Sequence, residues 1–184
     1  MTRKSRLVLI ALIAVCVLPV AASYFAFYVW QPDARMNFGT LVTPTLLPEA
    51  PVTNLAGDPV SRSALTGKWT YLIAAPASCN EACQSVLYLT RQVRTAQAKE
   101  MERVHRIWLV TDGGVPEGNL LGAHEGMDVV IANEAWRERF GADGQPHVWL
   151  VDPQGFVMMR YPDALEPKGM IKDIGRLLKY SQQG

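Results

Sequence analysis

The first thirty residues contain one long apolar segment. From Leu7 to Trp30 the chain carries no charged side chain, and roughly 20 apolar helical residues are enough to span a bilayer core. Arg3, Lys4 and Arg6 precede this segment, and positively charged flanks stay in the cytoplasm. The pattern predicts a cytoplasmic segment over residues 1–6, a transmembrane helix over 7–30 and export of everything that follows.

The alternative interpretation of this segment is a cleaved signal peptide. The small residues Val20-Ala21-Ala22 are typical of a cleavage site. However, apolar residues continue through Phe27, which is too long for a signal core of about 7–15 residues. We therefore favour a retained anchor in a bacterial inner membrane, with the N-terminus in the cytoplasm and the rest in the periplasm. In both interpretations, the remainder of the chain is exported.

Residues 31–47 are rich in Pro, Thr and Ala with little periodicity, which predicts a periplasmic linker. Residues 48–184 then alternate between strand-like and helix-like patterns, and a single domain is expected because the chain is too short for two domains plus an anchor. The expected elements, in chain order, are a hairpin over 52–60, a buried strand over 69–75, a helix over 80–99, a buried strand over 104–111, a short strand over 128–131, a helix over 133–140 capped by Asn133, a hairpin over 144–158 and a helix over 167–180.

Composition excludes some functions. The formal net charge is only +1, and Lys and Arg form no stripe beyond the first six residues, so nucleic acid is a poor candidate partner. The sequence also contains no Gly-rich phosphate loop, Ser-His-Asp set or carboxylate-rich metal motif. The remaining candidates for a reactive or metal-binding site are the cysteines.

Two of the three cysteines are candidates for a function. Cys16 lies within the apolar segment, where it behaves as a small apolar residue. Cys79 and Cys83 lie where a buried strand gives way to a helix, and residues four apart on a helix share a face. We expect their Cα atoms to be about 6 Å apart, close enough for a disulfide, and two thiolates at this spacing also suit Cu(I).

The spacing leaves three alternatives for this pair, namely a static disulfide, a catalytic dithiol and a soft-metal site. A static bond would close a very short loop and add little stability, which favours a functional pair. At the start of the helix, Cys79 would gain from the positive end of the helix dipole and act as the attacking thiolate. Cys83 would then resolve the intermediate or serve as a second ligand.

Three motifs carry a resemblance to a known family. They are Cys79-Asn80-Glu81-Ala82-Cys83 after a buried strand, the strand from Arg106 to Asp112, and the hairpin sequence from Val148 to Gly155. Together they resemble the thioredoxin superfamily and, within it, the Sco/SenC group of cytochrome oxidase assembly proteins. The resemblance implies a thioredoxin-like α/β fold, a central mixed sheet flanked by helices, with one anchor helix. It also implies Cu(I) delivery to a respiratory oxidase subunit, or reduction of the cysteines of its copper site.

The sequence departs from the Sco pattern in two places. Gln84 follows the second cysteine where the family usually has Pro, and Gly144, preceded by Asp143, stands at the register of the copper-ligating His. Instead, Gly144-Gln145-Pro146 resembles the Gly-x-Pro loop of thioredoxins. That resemblance implies a cis Pro146 beside the cysteines, where it would dock an extended substrate; the alternative is an ordinary loop proline.

The three histidines differ in how well each could serve as a metal ligand. His147 is near enough to the cysteines in such a fold to complete a Cys₂His metal site with Cys79 and Cys83, although its apolar neighbours Val148 and Leu150 suggest a strand alternation that turns it elsewhere. His124, in a variable loop, is a second candidate ligand. His105 opens a strand and is expected to be structural. Asp143 is either a partner of a ligand or a solvated loop carboxylate.

Two functions other than copper-site assembly remain open. One is a general periplasmic thiol-disulfide oxidoreductase acting on another exported thiol protein. The other is a non-catalytic assembly partner that keeps a thioredoxin-like domain for docking. Whether the chain is an enzyme therefore depends on whether the Cys79/Cys83 pair turns over.

Overall fold

The computed structural model describes residues 3–28, 37–141 and 143–181. The chain divides into two compact units, Met1–Met36 and Asn37–Gly184. The first contains helix α1 (Arg3–Tyr28), which is long and apolar enough to cross a membrane, a test that a signal sequence also passes. The predicted outer end of the span at Trp30 lies outside the described residues.

The second unit is built on one mixed β-sheet. Its strands are β1 (Thr40–Leu46), β2 (Val52–Asn54), β3 (Pro59–Val60), β4 (Trp69–Ala75), β5 (Val104–Val110), β6 (Asp128–Ile131), β7 (His147–Val151) and β8 (Phe156–Arg160). They lie in the order β1-β8-β7-β4-β5-β6-β2-β3. β4, β5 and β6 are parallel, whereas β7 runs antiparallel to β4 and forms a hairpin with β8.

Within the described residues, four α-helices accompany this sheet, namely α2 (Glu81–Thr95), α3 (Gly118–Ala123), α4 (Glu134–Phe140) and α5 (Pro167–Tyr180). The central strand β4 is buried along its whole length, as expected for a strand covered on both faces. The thioredoxin-like α/β fold that the resemblance implied is confirmed.

Side-chain alternation along the strands divides the core into two parts. On one side of the sheet, which we call the cysteine face, Tyr71 and Ile73 pack in a cluster with Cys79, Cys83 and the apolar sides of α2 and α5. On the other side, the α4 face, Leu72 and Ala74 of the same strand pack in a cluster with Trp136 and Phe140. Which face a strand residue points to therefore decides whether it can approach the cysteines.

The prediction of a linker over residues 31–47 is wrong from residue 37 onward. β1 is part of the sheet and pairs antiparallel with β8, with Thr40 opposite Arg160. The strand was hidden in the sequence because it contains Pro44 and polar threonines, which an edge strand tolerates since one side of it needs no partner. The register of β1 shifts between Leu41 and Thr45.

A buried carboxylate fixes the beginning of this domain. Asp173 on α5 is 2% exposed, and it accepts hydrogen bonds from the backbone N–H groups of Phe38 and Gly39 at 2.9 to 3.1 Å. These hydrogen bonds satisfy the carboxylate oxygens, which would otherwise be costly to bury. The domain therefore begins at Asn37 rather than at residue 48.

Candidate functional site

The cysteine pair lies at the carboxyl end of β4, where the chain turns into α2. Asn80 is the N-cap of this helix, because its side-chain oxygen accepts a hydrogen bond from the backbone N–H of Cys83 at 3.0 Å. The helix therefore begins at Glu81. The expectation that the two cysteines share one face of the helix is wrong, because Asn80, a strong N-cap residue, leaves Cys79 before the helix. Only Cys83, the third helical residue, lies within the first turn.

The two cysteines form a disulfide, with their Cα atoms 5.0 Å apart. This separation is within the range that a disulfide accepts. Cys79 precedes the cap with a φ of +34°, a left-handed conformation that non-glycine residues adopt rarely. The short loop before the helix thus brings the two sulfur atoms together, which confirms that they are side by side.

Access to the disulfide is narrow and one-sided. Cys79 is 1% exposed and Cys83 is 0% exposed. A cavity of about 330 Å³ opens over Cys79, lined also by Ser78, Gln84, Glu117 and Leu120. Cys83 does not line it. Of the two cysteines, Cys79 is therefore the one that a group entering this cavity would approach.

Polar side chains fix the loop that carries Cys79. Asp112, which follows β5, accepts hydrogen bonds from the backbone N–H groups of Ala77 at 3.0 Å and Gly114 at 3.1 Å. Gln84 donates from its amide nitrogen to the carbonyl oxygen of Cys79 at 3.1 Å. Sequence reasoning missed these three roles of Asn80, Asp112 and Gln84. The available signal was the Asn-Glu-Ala sequence of a helix start at residue 80.

Pro146 does not adopt the conformation that the thioredoxin resemblance implied. None of the described peptide bonds is cis, so the bond before Pro146 is trans. His147 pairs with Ala74 near the carboxyl end of β4, which places Pro146 at the same end of the sheet as the cysteine loop, but Pro146 does not line the cavity over Cys79. The trans form is also the cheaper isomer of an X–Pro bond.

His147 points away from the cysteines. Its neighbours Val148 and Leu150 belong to the core of the cysteine face, so alternation along β7 directs His147 to the α4 face. There, Nε2 lies 2.9 Å from a carboxylate oxygen of Asp143, and Nδ1 accepts from the Arg160 guanidinium at 3.2 Å. The prediction that His147 completes a metal site with Cys79 and Cys83 is wrong for this reason.

Asp143 is the partner of His147 rather than an isolated loop carboxylate. The hydrogen bond from His147, followed by one from the backbone N–H of Gln145, lowers the pKa of Asp143 below its ordinary value of 3.8. Among the described residues, no group of three His, Cys, Asp or Glu side chains is arranged to hold a metal ion. The reduced cysteine pair would thus offer two thiolates to a soft metal without a third protein ligand in place.

The other two histidines lie apart from the disulfide. His105 pairs with Asp128 across adjacent strands, with Nε2 3.2 Å from the carboxylate, as expected for a structural residue. His124 follows α3 on the cysteine face and is 7% exposed. Burial, then the nearby Arg106 and Arg91, lower the pKa of His124. His124 does not line the cavity over Cys79.

The sheet order, the strand-to-helix turn and the buried disulfide define a thioredoxin-like protein with a Cys-x₃-Cys site. The family model described as "Transmembrane-like, thioredoxin-like, C-terminal domain" matches residues 69–181, and the chain belongs to this family. The match covers β4, the cysteine pair and every later element of the domain. No curated protein sequence matches the chain.

Solved structures of two kinds share this fold. Yeast Sco1 with copper bound superposes with a TM-score of 0.65 at 15% identity, covering 76% of this chain and 96% of that one. Copper-bound ScoI from Bradyrhizobium japonicum gives 0.54 at 18% identity, covering 74% and 99%. The thioredoxin domain of a thiol-disulfide oxidoreductase from Bacteroides vulgatus gives 0.56 at 18% identity, covering 76% and 99%. The predicted resemblance to Sco proteins is confirmed as a likeness of fold.

Proposed function

We propose that this protein is an exported, membrane-anchored thiol-disulfide oxidoreductase that acts through Cys79 and Cys83. The observation that carries the proposal is the one-sided access to the pair. The disulfide joins a cysteine that lines an open cavity to one that is fully enclosed. A static disulfide needs no such difference between its two sulfur atoms, whereas exchange with a partner needs one sulfur to be attacked and the other to leave.

The exchange proceeds in two balanced steps. A partner thiolate attacks the sulfur of Cys79, the Cys79–Cys83 bond breaks, and Cys83 leaves as a thiolate. A second thiolate of the partner then attacks the partner's sulfur in the mixed disulfide, and Cys79 leaves as a thiolate. The partner is oxidised to a disulfide, and the Cys79/Cys83 pair takes up two electrons. In the reverse direction, the Cys79 thiolate attacks a partner disulfide and Cys83 resolves the mixed intermediate.

Helix α2 assists the sulfur that leaves. Cys83 lies in the first turn, where the positive end of the helix dipole stabilises negative charge. The sequence assigned this benefit to Cys79, but Cys79 precedes the N-cap Asn80. The helix therefore favours opening of the disulfide with the charge on Cys83, which is the outcome that attack at Cys79 requires.

The pathway we propose is assembly of the copper centre of a respiratory oxidase, in which the reduced pair reduces copper-site cysteines of an oxidase subunit. Three sequence motifs and the fold likeness to Sco proteins support this assignment. Helix α1, with the basic residues Arg3, Lys4 and Arg6 at its start, supports an anchor in the inner membrane with the domain in the periplasm.

Carriage of Cu(I) is the second candidate, and one observation favours it. Reduction of the disulfide would leave two thiolates side by side, and Cu(I) favours sulfur ligands. Because His147 is held by Asp143 and Arg160 on the α4 face, we expect weaker Cu(I) binding than at a Cys₂His site. In an anaerobic Cu(I) titration of the reduced chain, His147→Ala should leave the affinity unchanged, and Cys79→Ser should abolish binding.

The oxidoreductase proposal is tested by redox equilibration of the full chain in detergent micelles. In glutathione buffers of graded potential, alkylation and mass spectrometry should show a two-electron transition of the Cys79/Cys83 pair. Cys83→Ser should instead trap a mixed disulfide at Cys79. A disulfide that stays closed under native conditions at every potential would overturn the proposal. If a strain with both cysteines replaced by Ser kept full oxidase activity, only the docking function would remain.

A further inference from the structure

A second cavity continues the one over Cys79 along the side of α2. It has a volume of about 590 Å³ and shares Gln84, Leu120 and Ala123 with the first cavity. The two together form one depression between α2 and the α3 segment, which we call the α2–α3 groove. It runs from Cys79 at one end to Arg91 and His124 at the other. A chain lying in the groove would have one end at the reactive sulfur.

The far end of the groove carries positive charge without a carboxylate partner. Arg91 donates to the carbonyl oxygen of Ala123 at 2.9 Å. The neighbouring Arg106 is 1% exposed, and among the described residues it donates to two backbone carbonyl oxygens, those of Leu87 and Glu125, each at 3.4 Å. Within residues 37–141 and 143–181, no carboxylate forms an ion pair with Arg91, Arg106 or His124.

This charge is uncommon because buried arginines are nearly always paired. The Nε of Arg106 and the Nδ1 of His124 are both buried and lack a hydrogen-bond partner in the described part of the chain. Burial, then Arg94 and Arg91, lower the pKa of Arg106 to about 10, so the guanidinium stays charged at neutral pH. A negative group at this end of the groove would contact Arg91 and His124, which line it, and would be attracted by the buried charge of Arg106.

The rest of the groove has a different character. Tyr88, on α2 between the two ends, is 55% exposed and lines the groove opposite Leu120. Glu117 lines the cavity over Cys79, and Glu81 lies at the start of α2 nearby. The groove thus has acidic side chains near the cysteines, an aromatic ring in the middle and basic side chains at the far end.

We propose that the α2–α3 groove binds an extended segment of the partner protein next to its reactive cysteine, and that an acidic side chain of that segment binds at Arg91 and His124. This inference rests on the proposed function. The sulfur of Cys79 is bonded to that of Cys83, so the distance along α2 can be counted from Cys83. Arg91 is eight residues after Cys83, about 12 Å along the helix axis at 1.5 Å per residue. An extended chain advances about 3.3 Å per residue. The acidic residue should therefore lie about four residues from the partner's cysteine.

Synthetic peptides test this spacing. Each would contain one cysteine in a Gly/Ser background, with Glu or Gln four residues before or after it. The oxidised full chain in detergent micelles is mixed with each peptide at low salt. Attack of the peptide thiolate on Cys79 forms a mixed disulfide and releases the thiolate of Cys83, which alkylation traps for mass spectrometry. One of the two Glu peptides should react about tenfold faster than its Gln counterpart, as one charge-assisted hydrogen bond allows.

Two variants localise the effect. Arg91→Gln should remove the preference for Glu, and Arg91→Lys should retain most of it. The matched control is Lys99→Gln, which removes an exposed cation outside the groove and should leave the preference intact. Equal rates for the Glu and Gln peptides in the unmodified chain would overturn the docking inference while leaving thiol exchange in place. If no peptide reacted at all, the exchange function and the inference would both be refuted.

Discussion

Helices α2 and α4 lie on opposite faces of the sheet, and each starts from the same three-residue sequence, an asparagine cap followed by Glu and Ala. Asn80-Glu81-Ala82 precedes Cys83, and Asn133-Glu134-Ala135 precedes Trp136. In both helices the asparagine caps the first turn. Its side-chain oxygen accepts from the backbone N–H of Cys83 at 3.0 Å in α2 and from that of Trp136 at 3.2 Å in α4.

The two turns differ in the residues on either side of the shared cap. In α2, Cys79 precedes the cap and is bonded to Cys83 at the third helical position. In α4, Ala132 precedes the cap, and Trp136 fills the core of the α4 face and donates from its ring nitrogen to the carbonyl oxygen of Ala50 at 2.8 Å. The cap is thus a general device for starting a helix, and the chemistry comes from the two cysteines placed around it.

The largest expected effect is a loss of stability that leaves the redox midpoint of the cysteine pair unchanged. Trp136→Ala removes a fully buried side chain from the α4 face and should lower the free energy of unfolding by about 3–5 kcal/mol, as measured by urea denaturation. The redox midpoint of the cysteine pair should not change, because Trp136 packs on the opposite face. Trp136→Phe serves as the milder control. A shifted midpoint in that folded variant would show that the two faces are coupled.

Reduction of the disulfide should have a smaller effect on stability. The bond closes a loop of only five residues, from Cys79 to Cys83, and loop-closure entropy predicts a loss of about 2 kcal/mol when it opens. Urea denaturation with and without a phosphine reductant measures this difference. The double variant with Ser at both positions is the control and should be insensitive to the reductant. A loss as large as that of Trp136→Ala would identify the disulfide as mainly structural.

The shared asparagines provide a matched pair of variants. Asn80→Ala and Asn133→Ala should each destabilise the domain by about 1 kcal/mol through loss of the N-cap. Only Asn80→Ala should also move the redox equilibrium, toward the dithiol form, because the capped turn holds Cys79 beside Cys83. Glutathione equilibration of both variants measures the shift. Equal midpoints in the two variants would contradict a redox role for the cap.

The smallest expected effect concerns the Asp143–His147 pair. Because the folded-state pKa of Asp143 is below its ordinary value of 3.8, this carboxylate stabilises the domain at pH values above about 4. The stabilisation is lost as the pH falls through the lowered pKa. Asp143 is largely exposed, so we expect less than about 1 kcal/mol. Asp143→Asn should flatten this part of the pH dependence of unfolding and leave thiol exchange unchanged; equal acid profiles would contradict the pairing.

Strong local patterns were sufficient to predict most of the fold. The apolar runs predicted at residues 69–75 and 104–111 became β4 and β5, and Asn133 was identified as the cap of α4. At Asn80 the same three-residue signal was not recognised as a cap, because two cysteines four residues apart also fit helical spacing and suggested that Cys79 belongs to the helix. β1 was missed because Pro44 and its threonines are typical of a linker.

The site depended more on contacts between distant residues. The alternation of Val148 and Leu150 already indicated that His147 faces away from the cysteines. The hydrogen bond of Asp112 to Ala77, 35 residues apart, has no local signal. The isomer of the bond before Pro146 is set by tertiary context, because the two forms of an X–Pro bond differ by only about 0.5–1 kcal/mol.

The two outer strands of the sheet limit how other chains can associate with it. β1 contains Pro44, which lacks a backbone N–H, and its register is irregular; β3 is two residues long and begins with Pro59. Short, interrupted edges of this kind are poor templates for an added strand. Copies of the protein crowded together should therefore resist stacking into extended sheets, and a partner gains little by lengthening the sheet at either end.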